Sequence, residues 1–133
     1  MDEKKQVLEN KEKNLRVLEN EVFQANKQLK EREFFIELLD EEWAAKKVTF
    51  EVSQKDFKPI KVSWSFEENP DYVEALKKIN VIKFKKSEYD YNNQKEQLNG
   101  DITTLKEQIA SSEKEILEVM KDVAALKDEL GEN

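Results

Sequence analysis

Met1, Leu8, Leu15, Val22, Leu29, Ile36 and Trp43 follow one another at intervals of seven without a gap, and Leu18, Ala25 and Leu39 fill much of the companion row. A seven-residue apolar repeat held for this long keeps one stripe on one side of an α-helix, and only a second helix lying along it can bury the whole stripe. The other end of the chain carries a matching pair of rows. One is Ile102, Ile109, Ile116, Val123 and Leu130; the other is Tyr91, Leu98, Leu105, Ser112, Val119 and Leu126. The chain therefore begins and ends in helical arms that each need a partner.

The arms can partner each other. An antiparallel register in which paired numbers sum to 134 sets Leu8 by Leu126, Leu15 by Val119, Leu29 by Leu105, Ile36 by Leu98 and Trp43 by Tyr91. Each polar residue within the rows then faces an apolar one: Lys11 meets Val123, Ser112 meets Val22, Arg32 meets Ile102 and Lys95 meets Leu39. The competing arrangement is a parallel homodimer, which Ile or Val in one row and Leu in the other favours. The antiparallel hairpin is preferred; registers shifted by one heptad would also match, and the sum of 134 is chosen because it leaves a head-sized insert between the arms.

That insert differs in composition. Eleven of the twelve aromatic residues, and both prolines, lie between Phe34 and Tyr91. Val48, Phe50 and Val52 alternate with polar residues, as do Ile60, Val62, Trp64 and Phe66, which reads as two half-buried strands. Asn69, Pro70 and Asp71 read as the N-cap and first turn of a short helix, with Val73, Leu76 and Ile79 on one face and Asn80 as its stop. Val81 to Lys85 reads either as a third strand or as the start of the last arm, which Ser87 would otherwise cap. The expected fold is mainly α with a small β element. A long antiparallel coiled-coil hairpin, with arms over 1–46 and 87–133, bears a β-β-α(-β) head over 47–86.

Composition narrows the chemistry. The chain has neither Cys nor His, which excludes disulfides, thiolate nucleophiles, imidazole bases and the usual zinc and haem ligands, so no cofactor is expected. At 40% charged residues it far exceeds the roughly 25% of ordinary globular domains. No apolar run is long enough for a membrane span and the first ten residues are too charged for a signal sequence, so the expected setting is the cytoplasm or the interior of a viral particle.

Two short patterns imitate catalytic or metal sites and fail on inspection. Asp90, Asn92, Gln94 and Asp101 match several calcium-loop positions, but Lys95 stands where the turn needs glycine. Ser111 and Lys114 have an S-x-x-K spacing with no companion motif. Asn99-Gly100 reads as a local kink, because the seam keeps phase across it. Lys77, Lys78, Lys83, Lys85 and Lys86 form a basic cluster beside Phe84, and clustered lysines can track a phosphate backbone. With no Arg among them and a net charge of −7, the preferred reading is a solvated face, and nucleic acid is an unfavoured partner.

The helix, β-hairpin, helix order at this size resembles prefoldin β-type subunits, a likeness that implies a holdase chaperone gripping unfolded chains. Val62-Ser63-Trp64, Tyr72 to Ile79 and Lys83-Phe84-Lys85 look like the strand, helix and strand of Gam proteins of Mu-like phages, over about 25 residues. That likeness implies binding to DNA ends.

The function expected from the residues themselves is non-enzymatic: a structural or scaffolding coiled coil acting through protein contact and self-assembly. The seam residues are Leu8, Leu15, Val22, Leu29, Ile36, Leu98, Ile102, Leu105, Ile109, Ile116 and Val123. Phe34, Phe35, Leu38 and Trp43 broaden the first arm's apolar face beyond what one partner helix can cover, and they are the expected site of homo-oligomer or partner contact.

Overall fold

The seam folds as the repeat requires. In the structure, a computed structural model that describes residues 2–55 and 70–131, two long helices form an antiparallel hairpin. Helix α1 spans Asp2–Lys55 and helix α2 spans Pro70–Leu130. Gly131 ends α2 with φ at +68°, the left-handed conformation that glycine adopts without steric cost, and its N–H bonds the Asp128 carbonyl at 3.2 Å.

The helices divide into two compact units. One joins Met1–Glu33 with Asn99–Asn133; the other is Phe34–Leu98. In the first, Leu8, Leu18 and Leu105 are buried, while Leu15, Val22, Leu29, Ile102, Ile109, Ile116 and Val123 are half-buried. Ion pairs fix the register. Lys4 reaches Glu129 and Lys11 reaches Asp122, both at 3.1 Å, and Arg32 reaches Asp101 at 3.6 Å. Lys11 and Arg32 sit in the seam rows and send their charged heads to the acid beside Val123 and Ile102, the residues expected to face them. Their apolar stems stay in the interface while the charge stays wet.

In the second unit Trp43 is only 8% exposed and stacks on Tyr91, with ring centres 5.1 Å apart. It also stacks on Phe84 at 5.1 Å, and Phe84 stacks on Phe50 at 4.0 Å. Trp43 with Tyr91 is a pair of the expected register, and Phe50 with Phe84 carries the same sum of 134 beyond the expected arms, through residues read as strand and head. Ile36 and Leu98 are half-buried on the same seam.

The β element is the correction. Val48, Phe50 and Val52 lie in the last turns of α1, and Val81 to Lys85 lies in α2, so among the described residues there is no strand. The second expected strand, residues 60–66, falls outside the described residues. Phe50 continues the heptad row beyond Trp43, and Phe84 continues the opposing row beyond Tyr91. Extending an existing helix adds one hydrogen bond for each residue fixed and needs no new nucleus, so the seam propagates through both segments. Thr49 and Ser53 hydroxyls donate back to the Ala45 and Phe50 carbonyls at 3.0 and 2.8 Å, which accommodates these weak helix formers.

The helix does begin at Pro70, but Asn80 does not stop it and Ser87 does not start another. Asn80 instead meets Ser53 across the seam, its side-chain nitrogen donating to the hydroxyl at 3.4 Å. This is a polar layer within the hairpin, of the kind that fixes register at some cost in stability. Of the Gam-like pattern, Tyr72 to Ile79 is helical and Lys83-Phe84-Lys85 is helix rather than strand, while Val62 to Trp64 lies outside the described residues. Asn99-Gly100 runs through as helix, with no positive φ at Gly100.

Candidate functional site

The Phe34–Leu98 unit carries apolar side chains on the sides of both helices that face away from the seam. On α1, Phe34, Leu38, Ala45, Val48 and Val52 lie about 140–220° around the helix from the seam residue Trp43, at 100° per residue. All five are exposed, Phe34 by 66%, Leu38 by 57% and Val48 by 60%. Within this stripe only Glu41 breaks the apolar row. On α2, Ala75, Ile79, Ile82 and Tyr89 form a second stripe behind Phe84 and Tyr91, with Ile82 at 65% and Tyr89 at 67% exposed and Lys86 as the one charged interruption. One stripe at 3-4 spacing makes a helix amphipathic; a second on the opposite face requires a second partner.

Of the expected contact residues, Phe34, Phe35 and Leu38 are therefore exposed, whereas Trp43 is buried in the seam between its two aromatic neighbours. Sequence reading missed the continuation of the stripe through Val48 and Val52 and the whole α2 stripe, because both were assigned to strands or to the head's own core. The signal was present: residues 34, 38, 45, 48 and 52 keep helical spacing, as do 75, 79, 82 and 89.

The lysines are dispersed by the helix. In a strand Lys83 and Lys85 would share one face, but in α2 they point about 200° apart. Lys77 is half-buried at the seam edge, Lys86 is exposed within the outer stripe, and Lys78, Lys83 and Lys85 are exposed on its two flanks. The cluster is a basic border around apolar residues, not a single basic face. The acidic border belongs to α1, where Glu37, Glu42 and Glu51 flank the other stripe and, like Glu41 within it, are exposed.

Asp40, Tyr91 and Lys95 form a connected polar group in this unit. The Tyr91 hydroxyl donates to Asp40 Oδ1, and Lys95 Nζ donates to the same oxygen at 3.1 Å and to the Tyr91 hydroxyl at 3.3 Å. The hydrogen bond from Tyr91, followed by the bond and charge of Lys95, holds the Asp40 carboxyl below the ordinary carboxylate range. Lys95 is raised in turn, first by its bond to Asp40 and then by that to Tyr91. Both side chains are partly open to water, and the group closes over the edge of the aromatic stack as a register clamp.

Two shallow grooves run beside the seam. One, of about 510 Å³, lies in the first unit among Asn20, Gln24, Gln28, Gln108 and Ser111; the other, of about 260 Å³, is bordered by Glu42, Lys46, Ser87 and Asp90. Ser111 opens onto the first groove from a continuous helix, and Asp90, Asn92 and Gln94 are helical rather than parts of a loop. Among the described residues no three acidic side chains come together as a cation site would require, and no helix carries an apolar stretch able to cross a membrane. Comparison of the chain with protein-family models, with curated proteins and with solved structures finds no match.

Proposed function

We propose that the protein is a non-enzymatic structural coiled coil that works through protein contact and self-assembly. The observation that carries this reading is the pair of outward apolar stripes on the Phe34–Leu98 unit, which the hairpin's own seam leaves uncovered. The stripes run over about five turns of α1 and about four of α2, enough for a helix-on-helix contact and far from the isolated exposed leucine that any soluble protein shows.

The test is the mass of the chain in solution across a wide concentration range, compared with that of Phe34→Glu and Leu38→Glu. Both positions are exposed, so the variants keep their helical circular dichroism. Their assemblies should dissociate at concentrations where the parent remains associated. A parent chain that sediments as a monomer throughout would overturn the reading.

A further inference from the structure

We infer that the α1 stripe of one chain docks on the α2 stripe of a second copy, antiparallel and in a register that sets Glu41 opposite Lys86. This rests on the self-assembly reading and specifies its interface. The two stripes share the same spacing over five layers, and Phe34 extends the α1 stripe one turn further, opposite Asn93. With Glu41 against Lys86, the antiparallel alignment also brings Leu38 to Tyr89, Ala45 to Ile82, Val48 to Ile79 and Val52 to Ala75, all of them exposed in the single chain. The one charged residue that interrupts each apolar row thus meets the opposite charge, and every other layer between Leu38 and Val52 is apolar.

The borders agree with the centre. In this alignment Glu42 flanks the α1 stripe on the side where Lys83 flanks α2, and Glu51 lies on the side of Lys78. Opposite charges at such flanking positions set partner and orientation. The same borders argue against like-with-like docking. Two α1 stripes packed about a two-fold axis would bring Glu41 and Glu42 towards their own copies, and two α2 stripes would do the same with Lys83 and Lys86. Nor can one chain satisfy both stripes by itself, since each faces away from the seam that joins its two helices.

An interface made from two different faces of the same chain is heterologous. Each copy offers one face to the copy before it and the other to the copy after it, so chains join head to tail. The basic border, which by itself suggests a polyanion site, then serves to recognise an acidic helix.

Charge reversal tests the pairing. Glu41→Lys and Lys86→Glu should each move the association midpoint to at least about tenfold higher concentration, and the double variant Glu41→Lys/Lys86→Glu should restore it. Because the chain has no cysteine, Val48→Cys/Ile79→Cys provides a geometric check. Oxidation should give a ladder of linked chains on a non-reducing gel, while neither single cysteine variant should link to itself. If the parent assembles but Glu41→Lys leaves assembly unchanged, if the double variant fails to recover, or if the single cysteines link as well as the pair, this pairing is wrong while self-assembly stands. A parent that stays monomeric removes both.

Discussion

Trp43 offers the sharpest test of how the hairpin is held together. Its ring is almost wholly buried and stacks at 5.1 Å on both Phe84 and Tyr91. Trp43→Ala removes the largest side chain of the seam, and truncations of this kind cost about 3–5 kcal/mol. Trp43→Leu separates the contributions, because it keeps an apolar seam residue and loses the two stacked pairs, each worth about 0.5–1.5 kcal/mol beyond burial. It should therefore destabilise by about 1–3 kcal/mol. The assay is denaturant unfolding followed by circular dichroism at 222 nm, in a double-mutant cycle of Trp43→Leu with Tyr91→Leu. Tyr91→Phe serves as a control that removes only the hydroxyl bonded to Asp40. A coupling energy of about 0.5–1.5 kcal/mol is expected between Trp43 and Tyr91. Strict additivity in the cycle would mean that the two rings do not meet, and the antiparallel register would fall with them.

Three further outcomes follow from the same geometry. Leu105→Ala, at a buried position, should cost about 2–4 kcal/mol in denaturant unfolding; combined with Leu29→Ala, which the register places opposite, it should cost less than the two added together. Asp40 has a depressed folded pKa, so its contribution is present above the unfolded carboxylate pKa and is lost as pH falls through the folded one; Lys95, raised, contributes below the unfolded lysine pKa and loses that contribution as pH rises through the folded one. Unfolding midpoints of the parent against Asp40→Asn should converge at acid pH and draw closer at alkaline pH as Lys95 loses its charge, and a constant gap would contradict the clamp. Gly100→Ala should stabilise by about 0.5–1 kcal/mol, because the helix is continuous there and an added Cβ meets nothing within 4 Å; a loss of stability would show that Gly100 serves as a kink after all.

The long elements were legible because the pattern that specifies them is redundant. Seven residues at perfect sevenfold spacing in one arm, opposed by two rows in the other, leave no competing period, and the polar intruders Lys11 and Arg32 land beside the acids that neutralise them. The start of α2 at Pro70 was legible for a different reason: proline's fixed φ and missing N–H suit only the first turn of a helix. The outer stripes were harder to see, since they become visible only once the segments that bear them are known to be helical.

The end of α1 near 47–55 was misread as strand, and 81–85 stood open between strand and helix, because short segments satisfy two periods at once. Val48, Phe50 and Val52 alternate as a strand would, yet Val48 and Val52 are also a turn apart on a helix, and Phe50 is the next member of the heptad row. Over so few residues alternation and helical spacing cannot be told apart from within. What decides is the neighbouring structure: a helix already formed across the six heptad positions from Leu8 to Trp43 extends into the ambiguous stretch, and Phe50 on Phe84 at 4.0 Å gives that extension its own contact. The same decision sets the chemistry of the unit. As strands, Lys83 and Lys85 would project together as a polyanion-binding face; as a helix, they separate to the two flanks of an apolar row, and Val48 and Val52 turn outward to form its counterpart. The reading of function therefore follows directly from which of two periods the segment adopts.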